Sequence, residues 1–227
     1  MDTTGHILTE FDTALESLRE KTIEIGRHSQ KNIISSINGL LQRNVELCNN
    51  VIADDEEVDQ LEIQIDNEGV NIMAKFRPFA TDLRMVLSSM KITHNLERVS
   101  DHAVSIAKRA RKILRSPEIS EISLVEPVYK HATDMLQVAL ISYIDSDIDK
   151  ASEVIEMGQN LHSIYKQTSK QFVKKLEDES DNHKLYLNLV FITRWLERVG
   201  DLSVNIAEDV VYMLSAQDIR HGGELEE

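Results

Sequence analysis

Disulfides are excluded at once: Cys48 is the only cysteine in the chain, so no internal cross-link can form and nothing here calls for an oxidising compartment. Turn-formers are scarce as well. With 8 glycines and 3 prolines in 227 residues, a β-rich fold lacks the turn residues it needs, and 41% hydrophobic with 28% charged residues is the balance of a folded, helix-rich protein. No uncharged apolar run approaches the roughly 18 residues that a bilayer span requires. No basic start followed by an apolar segment marks a secretory signal, so a cytoplasmic location is expected. Positive charge is in deficit: 25 bases against 39 acids leave a net charge of -14. That balance opposes binding to nucleic acid or to an anionic membrane and favours metal ions or basic protein patches. The common glycine-rich nucleotide loops, the Gly-x-Ser-x-Gly hydrolase elbow and the His-Glu-x-x-His zinc motif do not occur. None of the 8 histidines follows a glutamate by three residues, so the Glu-x-x-His pairs of carboxylate-bridged di-iron bundles are missing too.

What the chain does have is long apolar periodicity. Spacings of three and four predict an all-α fold of six long helices over about 6–43, 45–76, 78–115, 123–144, 148–178 and 181–216. The third shows the pattern plainly, because Ile92, Leu96, Val99, Ala103, Ile106, Ala110 and Ile113 step along one face as a bundle seam does. Pro78 suits a first helical turn, where its missing N–H costs nothing. Asn44 and Asp147 are predicted N-caps, since a short polar side chain accepts from an otherwise unpaired N–H. The segment around Pro117 is polar and disfavours helix. The chain is therefore expected to divide there, into three-helix bundles over 1–116 and 117–227. Short connections force neighbouring helices to run antiparallel.

The two halves share a motif. Across 92–107 and 192–207, 10 of 16 positions are identical, and the identities include Glu97, Arg98 and Asp101 against Glu197, Arg198 and Asp201. Carboxylates four apart stack one turn above another on a helix. Like charges at that spacing destabilise by roughly 0.2–0.5 kcal/mol, so a repeated pair asks for a compensating arginine, partner or cation. In the second predicted helix Asp55, Asp59, Glu62 and Asp66 form an acidic stripe beside Val58, Leu61 and Ile65. An antiparallel neighbour would set Asp55 and Asp59 across a groove from Glu97 and Asp101, four oxygen donors for a divalent or trivalent ion. The alternative is a solvated acidic face. In the second half Gly158 and His162 fall where Asp55 and Asp59 stand, so any site there is weaker or different. Trp195 and the methionines are expected to pack, and Cys48 to be a small buried apolar group.

Leu-Glu-Arg-Val-Ser-Asp at 96–101 and Leu-Glu-Arg-Val-Gly-Asp at 196–201, with Arg77-Pro78-Phe79-Ala80-Thr81-Asp82-Leu83-Arg84 and Asp55-Glu56-Glu57-Val58-Asp59, resemble the PhoU family over nearly the whole chain. The resemblance implies a cytoplasmic, non-enzymatic negative regulator of phosphate uptake. Its implied partners are the ATPase of a high-affinity phosphate ABC transporter and a sensor histidine kinase, and it implies a homodimer. Some members bind metal clusters, iron in particular, through Glu or Asp, three residues, then Asp. Three pairs match that motif here: Asp55 with Asp59, Glu97 with Asp101, and Glu197 with Asp201. The fourth does not, because Gly158 and His162 occupy it. A carboxylate-bound metal enzyme or storage protein, and a purely structural helical adaptor, are the competing readings.

Overall fold

Long stretches without glycine or proline let helices grow. In a computed structural model of the protein, which describes residues 3–178 and 182–220, helix is the only regular secondary structure among the described residues. The elements are α1 (Thr3–Leu41), α2 (Val45–Ala53), α3 (Asp55–Phe76), α4 (Thr81–Ile113), a 3-10 helix (Ser120–Val125), α5 (Glu126–Asp145), α6 (Ile148–Asp178) and α7 (His183–Ser215). Helices α1 to α4 make the first bundle and α5 to α7 the second. Residues 221–227, which follow the last predicted helix, lie outside the described residues.

The second predicted helix is two helices, broken at Asp54. Asp55, Glu56 and Glu57 then occupy the first turn of α3, where acids gain from the positive end of the helix dipole, and Asp54 itself is held by Lys31 at 2.8 Å. A run of four acids is better served by a new N-terminus than by a continuous helix. The third predicted helix begins at Thr81 rather than Pro78. Arg77 closes α3 in a left-handed conformation (φ 53°), its N–H bonded to Met73 O, and Ala80 has φ 50°, so the proline belongs to a turn. The predicted caps are in place: Asn44 Oδ1 accepts from the N–H groups of Glu46 (3.0 Å) and Leu47 (3.2 Å), and Asp147 Oδ1 from Lys150 N–H at 3.0 Å.

The two bundles meet along α4 and α7, which run antiparallel. Arg84 Nε donates to Met213 O at 3.3 Å, Lys91 pairs with Asp209 at 3.5 Å, and Arg109 donates to Asn188 Oδ1 at 2.8 Å. α3 packs on the outer side of α4 and α6 on the outer side of α7, while α1 contacts α5 behind them. The result is a row in the order α3, α4, α7, α6 with one face open. Arg109 lies over the rings of Phe191 (3.9 Å) and Trp195 (5.1 Å), so the lone tryptophan fills the contact between bundles. Cys48 is fully buried. The α4 seam from Ile92 to Ile113 is at most 1% exposed at every apolar step.

Gly200 takes the place of Ser100, and the reason is contact: a Cβ at 200 would stand 1.9 Å from Leu161 Cδ2. Leu161 is 2% exposed, so the clash falls inside the packed contact of α6 and α7. Gly200→Ala is expected to cost about 1–3 kcal/mol, read as a lower urea midpoint at unchanged slope. A midpoint equal to that of the parent would show that α6 and α7 can separate freely.

Candidate functional site

α3 and α4 run antiparallel, and their polar edges meet rung by rung. Asp55 lies within electrostatic reach of Asp101, Asp59 of Glu97, and Glu62 of both Glu97 and His94. Asp55 and Asp59 thus stand opposite Asp101 and Glu97, and a third rung that the expected set did not include follows them. Glu62, His94 and Glu97 bring one ligand atom each within 4.8 Å of one another, and His94 Nδ1 lies 3.0 Å from Glu62 Oε1. The signal was available, because continuing the register that pairs 55 with 101 and 59 with 97 pairs 62 with 94.

The electrostatics are those of an under-compensated acidic cluster. Burial, then Asp101 and Glu62, pushes the Glu97 carboxyl up from 4.5 to about 7, opposed by His94. Burial, then Asp59 and Asp101, raises Asp55, with Lys108 acting the other way. Carboxylates that resist ionisation because they are buried beside like charges bind a cation readily, since the cation offsets both the burial and the repulsion. Five carboxylates and one imidazole suit a hard or borderline ion, iron included.

The corresponding place in the second bundle is occupied by the protein's own cations. Glu197 is 4% exposed and receives a hydrogen-bonded ion pair from Arg194, one turn back on α7, together with His162 Nδ1 at 2.9 Å. Arg194 stands where His94 stands in the first bundle. Asp201 accepts from Arg198 at 3.1 Å, and burial, then Glu197, raises its carboxyl. Tyr165, in the position of Glu62, lies under the Arg194 guanidinium at 5.7 Å. Gly158, in the position of Asp55, supplies no ligand and faces Val204. The structure thus gathers Asp55, Asp59, Glu97 and Asp101 with Glu62 and His94, and sets Glu197 and Asp201 apart in an arginine-filled copy of the same place.

Comparison with known proteins agrees with this duplicated plan. The PhoU domain matches twice, over residues 22–110 and 125–210. The phosphate-specific transport system accessory protein PhoU homolog of Pseudomonas aeruginosa is 31% identical over 221 residues, covering 97% of this chain and 91% of that one. The Escherichia coli phosphate-specific transport system accessory protein PhoU is 29% identical over 218 residues, 96% of this chain and 90% of the other. The crystal structure of PhoU from Pseudomonas aeruginosa superposes with a TM-score of 0.88 at 29% identity, covering 91% of this chain and all of that one. Among the described residues no helix is long and apolar enough to cross a membrane.

Proposed function

The chain belongs to the PhoU family of phosphate-transport accessory proteins, and we propose that it works in the cytoplasm as a negative regulator with no catalytic activity of its own. In this reading it associates with the ATPase of the phosphate ABC transporter and with a sensor histidine kinase. When phosphate is plentiful it restrains uptake and keeps starvation genes off. It acts as a homodimer. The observation that carries the reading is the family match in both halves at nearly full length. A rigid row of helices offers docking surface, and an acidic chain complements basic patches on its partners. Deleting the gene is expected to derepress phosphate-starvation genes in phosphate-rich medium. Unchanged expression would overturn the regulatory reading.

We further propose that the acids bind a divalent or trivalent metal ion, iron included. Asp55, Asp59, Glu97 and Asp101 form the stronger site, with Glu62 and His94 at its end. Glu197 and Asp201 bind weakly, because Arg194 and Arg198 already neutralise them and His162 is hydrogen-bonded to Glu197. The bound cation would neutralise the stacked carboxylates and stiffen the contact between α3 and α4. Glu97→Ala with Asp101→Ala is expected to lower metal per chain at least tenfold after loading and desalting, whereas Glu197→Ala with Asp201→Ala changes it by less than twofold. Elemental analysis giving equal metal in the parent and in a variant lacking all six motif acids would sink the proposal.

A further inference from the structure

The seam of α4 and α7 has two ends, and equivalent positions build both. Residues 100 apart correspond in the two halves, so the rung of Lys91 and Asp209 at one end is repeated as Phe191 and Arg109 at the other. Both rungs are in contact: Lys91 Nζ lies 3.5 Å from Asp209 Oδ1, and the Arg109 guanidinium lies 3.9 Å from the Phe191 ring centroid. In the same register Asn95 matches Trp195, and Asn205 matches Ser105.

At the Phe191 end the side chains fill the seam. Phe191 and Trp195 lean together with ring centroids 6.1 Å apart, and Arg109 covers both. Apolar burial and cation–π attraction favour that arrangement. At the Lys91 end, shorter polar side chains leave a cavity of about 620 Å³, within the range of small-molecule sites, about 300–1,000 Å³. Asn95 and Asn205 line it from the two helices, with Lys91 and Asp209 one turn further along. Arg220 enters from the segment after α7, its Nε 2.7 Å from Asp218 Oδ1.

The cavity carries both signs of charge in balance, Lys91 and Arg220 against Glu208 and Asp209. His94 also lines it, with Nδ1 turned to Glu62 at 3.0 Å. Asp209 is the costly member, because its side chain is only 8% exposed. Burial raises its carboxyl, opposed by Lys91 and then Arg220. Lys91 stands at 3.5 Å, longer than the roughly 2.7–2.9 Å of a well-made charge-assisted bond, and is itself half-exposed. Asn95 donates its amide N–H to Lys91 O at 3.1 Å, which leaves its Oδ1 as an acceptor. A loosely made ion pair beside open space, where the other half of the chain is filled, is an arrangement that a charged ligand can complete.

We propose that this cavity binds a small zwitterion, a free amino acid being the simplest, with its ammonium on Asp209 and its carboxylate on Lys91 and Arg220. The carboxamides of Asn95 and Asn205 offer the donors and acceptors that fix its orientation. The balance of charge selects the class. A simple anion meets Glu208, Asp209 and a chain of net charge -14, while a simple cation meets Lys91 and Arg220. A molecule carrying both signs gives each of these side chains an opposite charge and arrives with no net charge to be repelled. The cavity shares His94 with the third acid rung, and binding there requires neither a metal nor a protein partner.

Isothermal titration calorimetry on the metal-free full chain, with the common L-amino acids at millimolar concentration, tests the site. At least one is expected to bind. Putrescine and succinate, which each carry one sign of charge only, are expected to bind at least tenfold more weakly. Lys91→Phe with Asn95→Trp and Asp209→Arg rebuilds at this end the residues that fill the other, and should remove binding while the circular dichroism spectrum stays unchanged. Asp209→Asn, which keeps the shape of the side chain without its charge, should weaken binding at least tenfold and decides the matter if the triple variant does not fold. Lys130→Glu on α5 should change nothing. A parent that binds none of the amino acids overturns the proposal, as does binding that survives intact in Asp209→Asn. Putrescine or succinate binding as tightly as the best amino acid overturns the zwitterion as the ligand.

Discussion

Replacing Glu97 with glutamine is expected to raise the stability of the metal-free protein above pH 7, by up to about 3 kcal/mol. The Glu97 carboxyl titrates near 4.5 when unfolded and is pushed up to about 7 in the fold, so the folded state holds its proton more tightly. The favourable contribution is fully present below pH 4.5 and is lost as pH rises to about 7. Unfolding free energy should therefore fall across that window in the parent and fall less in Glu97→Gln, which keeps the shape of the side chain without its charge. Asp55 and Asp201 are raised too, so a smaller slope of the same sign remains. Urea titrations from pH 4.5 to 8 with a chelator present decide the matter. A glutamine variant no more stable than the parent at pH 8 would mean that the cluster is already neutralised by the chain. Adding a metal that binds the site should reverse the order, because the parent then gains and the variant does not.

Arg194→Met should have the opposite sign. Glu197 is 4% exposed and relies on Arg194 and on His162 at 2.9 Å. Taking away the half-exposed partner of a buried carboxylate leaves that group under-compensated and costs about 1–3 kcal/mol. Glu197→Gln in the same chain should return most of that loss, so the two changes couple strongly in a double-mutant cycle. The pair of experiments compares equivalent motif positions: removing the first-half acid stabilises, while removing the cation beside the second-half acid destabilises. If Arg194→Met shifts stability by less than about 0.5 kcal/mol, the range of an ordinary surface change, the guanidinium is not what compensates Glu197 in its buried place.

Much of this was legible from residues alone. The apolar steps of Ile92 through Ile113, the caps at Asn44 and Asp147, and the facing of Asp55 and Asp59 toward Glu97 and Asp101 all follow from helical period and short connections. Those are local rules with strong signals. The break at Asp54 was hidden because acids are polar in either arrangement and leave the apolar pattern intact. The turn before α4 was hidden because its left-handed residues are Arg77 and Ala80 rather than glycine. Glu62 and His94 lie on different helices, and only the register between those helices brings them together. Arg194 lies one turn before Glu197, close enough to be paired on sequence grounds. Whether it does pair depends on how deeply Glu197 is sunk between α6 and α7, which is a property of packing.

The antiparallel seam of α4 and α7 has the geometry that two separate half-length chains would adopt if each paired with its twin. Linking the halves through the segment around Pro117 turns such a pairing from a concentration-dependent event into an intramolecular one, with an effective concentration on the order of millimolar. The seam then survives any dilution the cell imposes. Each half is also released from having to be its own mirror, so one copy can keep its carboxylates for an outside cation while the other carries a guanidinium of its own.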